Sequence, residues 1–153
     1  MHPGAVADPG LHYDRAEVFD HFALELERDI SQRIDASTIT RIVLTHLHFD
    51  HAGGLALLPP SIPVVVQRRE LAAGHDPATI ARNAYFPRDY VGQGREIVVV
   101  DGDHDLLGDG SIELLLTPGH TPGHKSVRVG DALVLGGGGA SFARGLDDPR
   151  FPV

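Results

Sequence analysis

Residues 45–54 read Thr45-His-Leu-His-Phe-Asp-His-Ala-Gly-Gly54, which places four candidate metal ligands, His46, His48, Asp50 and His51, within six residues. The stretch directly follows Arg41-Ile-Val-Leu-Thr45, a short β-branched run of the kind that forms a buried strand. The ligands therefore belong at the C-terminal mouth of a strand. A loop held by a rigid strand end is a common place for a site in α/β proteins. Alternate spacing puts His46 and His48 on one side, able to share a metal, while Asp50 and His51 turn the corner toward a second position. Imidazole nitrogen and carboxylate oxygen suit Zn²⁺, and Fe, Mn and Co accept the same donors. Gly53 and Gly54 are expected to let backbone pass close behind the site. The competing reading is a polar loop whose histidines are together by chance.

A second cluster, Thr117-Pro-Gly-His-Thr-Pro-Gly-His124, also follows a strand-like run, Ile112 to Thr117. Each Pro-Gly pair forces a turn, and each turn presents a histidine. Alone, this segment reads equally well as a structural turn with polar tips. Beside the first cluster, His120 or His124 can supply a third histidine to a site with His46 and His48.

Outward from these two segments the pattern is α/β. Phe19, Phe22, Ala23, Leu26, Ile30 and Ile34 recur at helical steps, so an amphipathic helix is expected from Asp14 to Ile34. Ser37 and Thr38 are read as caps of a short turn. Ile62 to Gln67 and Glu96 to Val100 read as buried strands. Glu70 to Ala73 reads as a helical turn closed by Gly74. Asp76-Pro77 opens a helix expected to reach about Tyr85. Ser126 to Val129 and Ala132 to Leu135 flank Gly130-Asp131 as a hairpin, and Gly136 to Gly139 follow it. Strands separated by helical segments, with an antiparallel element late, indicate an α/β sandwich. Without a repeat or an internal linker, residues 1–153 read as one domain.

Composition narrows the function. The 153 residues carry 13 Lys and Arg against 21 Asp and Glu, a net charge of −8, with no basic run. Such a chain is a poor partner for a phosphate backbone, so no nucleic acid is expected. Cysteine is absent, which excludes disulfides, thiolate metal sites and cysteine nucleophiles. No apolar run approaches the roughly 20 residues of a membrane span, and the first residues lack a secretory core. A cytoplasmic protein without membrane contact is the expectation. His2, His12, His21, His75 and His104 occur singly and read as surface or loop residues. Asp101, Asp103, Asp105 and Asp109 lack the calcium-loop pattern and read as a solvated turn.

THLHFDHAGG at 45–54 and TPGHTPGHKS at 117–126 resemble the metallo-β-lactamase superfamily, and within it the N-acyl homoserine lactonase-like branch. The resemblance implies a metallo-β-lactamase-like αββα sandwich. It implies that His46, His48 and His120 hold one metal, that Asp50 and His51 hold the other, and that His124 supports the loop. Zinc, in one or two ions, is the implied cofactor. Asp50 would also handle the proton in the hydrolysis of a small-molecule lactone or ester, a quorum-quenching chemistry. The alternatives are a glyoxalase II-like thioesterase, for which Lys125 and Arg128 are the only basic residues near His120, and a non-catalytic metal-binding remnant. Lactonases of this branch carry a metal-bridging aspartate followed by Ala-Ser-Tyr. This sequence reads Gly139-Ala140-Ser141-Phe142, with Gly139 at the bridge position and Phe142 at the tyrosine. Asp147 and Asp148 are conceivable substitutes that read better as solvated carboxylates. The resemblance also places further strands ahead of the chain and another histidine after it, so an incomplete form of the fold is expected.

Overall fold

Val64-Val-Val-Gln67 forms β2, the strand around which the chain organises, and all four residues are buried. β1 (Ile42–Val43) and β3 (Ile97–Val100) flank it, both parallel to it, with Val65 opposite Val43 on one side and Val98 on the other. The computed structural model describes Ile30 and residues 33–138. The expectations for Gly139, Phe142, Asp147 and Asp148, for His2, His12 and His21, and for most of the first helix lie outside these residues. Of that helix only the last turn is described, where the Arg33 and Ile34 amides both bond to the Ile30 carbonyl.

A strand buried on both faces sends alternate side chains into two different cores. Val64 and Val66 pack with Leu44, Leu47, Leu55, Ala73, Ile80, Tyr85 and Tyr90 in a cluster on the helical side. Val65 packs instead with Val100, Leu114 and Val127 in a cluster between two sheets. Each buried valine contributes about 1.5–3 kcal/mol relative to exposure. The second sheet is antiparallel, in the order β4 (His104–Asp105), β5 (Ile112–Leu116), β6 (Lys125–Val129) and β7 (Leu133–Leu135). The described residues thus form a helical layer, a parallel sheet and an antiparallel sheet, the sandwich expected.

The helical layer is made of short pieces: α1 (Phe49–Ala52), α2 (Arg68–Ala73) and α3 (Pro77–Ile80). Asp76 caps α3 by accepting the Thr79 amide at 2.9 Å, as the Asp-Pro pair indicates. The helix stops at Ile80 rather than running to Tyr85. Tyr85 is fully buried and its backbone bridges to His48 as an isolated antiparallel pair, which a continuing helix would forbid. Asp35, not Ser37 or Thr38, caps the single 3₁₀ turn Ala36–Thr38. Gly74 does follow α2, but in ordinary right-handed geometry. It is glycine because a Cβ there would press on Leu47 and on Tyr90, whose hydroxyl donates to the Gly74 carbonyl at 2.6 Å. Arg95 holds the segment ahead of β2, donating to the carbonyls of Leu55, Leu58, Pro59 and Ile62. No helix of the described residues is long and apolar enough to cross a membrane.

Candidate metal centre

The chain leaves β1 at Val43, and Leu44 and Leu47 drop into the helical-side core. Between and beyond them His46 and His48 are left facing the loop after β5, and both are buried. The corner inferred from spacing is one turn of helix. His48 stands at the N-cap of α1, and the His51 and Ala52 amides bond back to its carbonyl at 3.0 and 2.8 Å. That turn brings His51 beside His46, with ring centres 4.1 Å apart, and leaves Asp50 exposed with Oδ2 3.5 Å from His51 Nε2.

The loop from Thr117 to His124 closes the site from the other sheet. His120 meets His46 and His48 edge-on, with ring centres 4.7 and 4.8 Å away. One nitrogen from each of His46, His48 and His120 lies within 4.8 Å of the others, and so do one nitrogen each from His46 and His51 and a carboxylate oxygen of Asp50. His46 is common to both groups. His124 stands further back, its ring 5.4 Å from His46 and 6.0 Å from His120. Its Nδ1 lies 3.0 Å from both the carbonyl and the hydroxyl of Thr117, at the base of the loop. The single histidines behave otherwise: His75 is exposed with Nδ1 on the Leu71 carbonyl, and His104 is exposed in β4.

The electrostatics favour the neutral form of His46, His48 and His120. Burial, then the neighbouring imidazoles, push His46 down to about 2 and His48 down to about 4, and burial lowers His120 as well. The Nε2 atoms of His46 and His48 are buried without a hydrogen-bond partner. A buried, unpartnered, unprotonated imidazole nitrogen is costly unless something accepts its lone pair. A divalent cation does so, and the nitrogen and oxygen donors present match zinc. The residues fit the metal.

Two side chains missing from the sequence reading hold the two loops together. Glu70, on α2, is buried and accepts from the Leu47 amide and the Tyr85 hydroxyl at Oε1, both at 2.9 Å. At Oε2 it accepts from the Thr121 hydroxyl at 2.7 Å and the Gly123 amide at 3.0 Å. Tyr85 also sets its ring edge-on to His48, 5.0 Å between centres. A glutamate in a helical turn normally faces solvent. Its partners lie up to 53 residues away in the chain, so no local spacing signals it.

The close backbone passage expected at Gly54 is found elsewhere. Among the described residues, a Cβ on Gly54 would meet Ile30 at 3.5 Å, an ordinary contact. One on Gly123 would overlap the Glu70 backbone. Beyond β7, Gly137 (φ +57) passes against Thr45, and a Cβ on Gly138 (φ +106) would lie 3.5 Å from both His46 and His120. The glycine run therefore reaches the histidines directly before position 139. Of the two basic residues weighed for an anionic substrate, Lys125 is fully buried with Nζ on the Val65 carbonyl. Arg128 is paired with Glu113 and Asp131. A hollow of about 460 Å³ opens beside His120, lined by Thr79, Arg82, Asn83 and Thr121.

Residues 4–152 match the family model of the metallo-beta-lactamase superfamily. The chain belongs to this superfamily. Its similarity to particular members falls on the N-acyl homoserine lactonases. It is 33% identical over 100 residues to the N-acyl homoserine lactonase AttM of Azorhizobium caulinodans, covering 63% of this chain and 38% of that one. It is 34% identical over 88 residues to the N-acyl homoserine lactonase of a Bacillus species, 58% of this chain and 32% of that one. Among solved structures, an N-acyl homoserine lactone hydrolase with N-hexanoyl-L-homoserine at its catalytic metal centre superposes with a TM-score of 0.54. That pair is 31% identical, over 65% of this chain and 37% of the other. The chain thus spans about a third of the length of these relatives. A protein from Staphylococcus aureus described as a probable metal-dependent hydrolase, 19% identical, shares the fold with a TM-score of 0.58, over 74% of this chain and 44% of that one.

Proposed function

We propose that this member of the metallo-β-lactamase superfamily is a zinc-dependent hydrolase of lactones or activated esters, with an acyl-homoserine lactone the first substrate to try. The observation that carries the proposal is the pair of buried, unpartnered Nε2 atoms of His46 and His48 beside His120. In this reading the three histidines are the ligands, a set that leaves a fourth zinc position open. A bound zinc supplies polarisation of the scissile carbonyl and lowers the pKa of water there. Asp50, half out in solvent at the rim, takes the proton from the attacking water. Asp50 and His51 are the two residues left for a second ion. His124 steadies the loop through Thr117.

Ester and lactone leaving groups need little help, whereas an amide nitrogen must be protonated as it departs. Lactones should therefore be opened before β-lactams. With Gly139 at the bridge position and Phe142 at the tyrosine, rates should fall below those of an intact relative, each lost polarising group costing about 10²-fold. The thioesterase alternative loses Lys125 and Arg128, neither of which is free to hold an anionic substrate, and keeps only Arg82 in the hollow beside His120 among the described residues. The test compares hydrolysis of p-nitrophenyl acetate, a long-chain acyl-homoserine lactone and nitrocefin by the zinc-loaded chain, with His48→Ala as control. Lactone turnover above nitrocefin turnover, abolished in His48→Ala, is expected. Nitrocefin as the better substrate would sink the lactonase reading. Rates indifferent to His48→Ala would favour the non-catalytic remnant.

A further inference from the structure

We infer that Glu70 is a positioning residue of the histidine centre, a side chain that bonds to both of its loops and helps set the distance between them. The inference rests on the metal reading above and deepens it. Glu70 touches none of the five candidate ligands. It binds the residues between and beside them: the Leu47 amide lies between His46 and His48, Thr121 follows His120, and Gly123 precedes His124. Each carboxylate oxygen takes one backbone N–H and one hydroxyl, and each takes its N–H from a different histidine loop. Oε1 holds the loop after β1 together with Tyr85, while Oε2 holds the loop after β5. His46 and His48 come from one sheet and His120 from the other; the Lys125 amide on the Thr45 carbonyl at 3.0 Å joins the two segments at their base, and the parts that carry the ligands need a further fixture bonded to both. Buried on α2, next to the strand that faces both cores, Glu70 is that fixture.

The hydrogen-bond inventory makes a glutamine substitution decisive. Glutamine has the same shape but replaces one acceptor oxygen by an NH₂ donor. A hydroxyl facing that NH₂ can rotate and accept. A backbone N–H cannot. Whichever way the amide lies, either Leu47 or Gly123 loses its acceptor, and one histidine loop is held less firmly. Residues that orient metal ligands through hydrogen bonds typically cost about 10- to 100-fold in metal affinity when altered.

The experiment titrates wild type and Glu70→Gln with Co²⁺ against a chromophoric chelator, records the visible absorption of the bound Co²⁺, and measures amide exchange in the metal-free proteins. Glu70→Gln should bind Co²⁺ about 10- to 100-fold more weakly, with an altered absorption band and faster exchange at Leu47 or Gly123. Val100→Ala, which trims the inter-sheet core away from the site, should lower the melting temperature and leave Co²⁺ affinity unchanged. Wild-type affinity and unchanged exchange in Glu70→Gln would overturn the inference, as would an equal loss of affinity in Val100→Ala. Should Glu70→Gln fail to fold, Thr121→Val removes one donor to Oε2 alone and must still weaken Co²⁺ binding, or the inference falls. A wild-type chain that takes up no Co²⁺ defeats the zinc reading, and amide exchange at Leu47 and Gly123 then decides the tethering role.

Discussion

Gly123 lies so close to Glu70 that any side chain at 123 would overlap the Glu70 backbone. The same glycine donates its amide to the Glu70 carboxylate at 3.0 Å. Steric room and hydrogen bond are thus supplied by one residue. Gly123→Ala forces apart the helical turn and the loop that carries His120. The expected cost is about 1–3 kcal/mol of overpacking, or about 2–4 °C in melting temperature for each kcal/mol in a chain of this length, together with weaker zinc binding. Gly54→Ala meets, among the described residues, only an ordinary contact and has an ordinary backbone, so calorimetry should find it neutral or slightly stabilising. Equal melting temperatures for the two variants would refute the argument.

His46 belongs to both ligand groups, so the described residues offer two competing half-sites sharing one imidazole. The zinc-loaded chain should hold about one zinc, the number a three-histidine set serves. Elemental analysis after exhaustive buffer exchange should find His46→Ala empty and His51→Ala still loaded. Gly139→Asp should raise the ratio toward two, by restoring the carboxylate that the lactonase resemblance expects there. A wild-type ratio near two contradicts the count.

Lys125 is buried between the sheets with its ammonium on the Val65 carbonyl, and burial lowers it from 10.5 to about 8. The unfolded lysine keeps its proton through this interval while the folded one releases it. More protons on the unfolded chain mean that stability rises with pH across that window. The difference corresponds to about 3 kcal/mol that burying the ammonium costs at neutral pH. Lys125→Met lacks this dependence. Denaturant unfolding at neutral pH and at about pH 10 should show the wild type gaining on the methionine variant as pH rises. A gap that stays constant would show that the ammonium is not desolvated in the fold.

Arg95 gathers four carbonyls of the 55–62 segment into one fork. Lysine carries the charge but not the planar donor set. Arg95→Lys should therefore lose most of what Arg95→Ala loses, about 2–3 kcal/mol, measured by urea unfolding. Full retention of stability by the lysine variant would mean that charge, not geometry, holds the loop.

The strands and the histidines were legible because their signals are local. Val64-Val-Val declares a buried strand, and His46, His48, Asp50 and His51 sit within one strand end and one helical turn. The outer limits of elements were less so: α3 stops at Ile80 because Tyr85 is claimed by His48, a contact that periodicity does not register. Glu70 was illegible for the same reason in stronger form. Nothing near it in the chain distinguishes it from a solvated glutamate, and its four donors arrive from three other segments. Gly123 read only as a turn former, since the backbone it must clear lies on α2.

His48 and His120 are separated by 72 positions in a chain without a single cysteine. On the proposed reading, a zinc ion shared between them would close that long span as a covalent staple would. By loop-closure entropy alone, such a staple removes about 4 kcal/mol of freedom from the unfolded chain. His46 and His48, two positions apart, gain nothing of this kind from each other. On that reading the third histidine would turn a chelating loop into a cross-link between the two sheets, and withdrawing zinc should undo a fastening that this chain has no disulfide to replace.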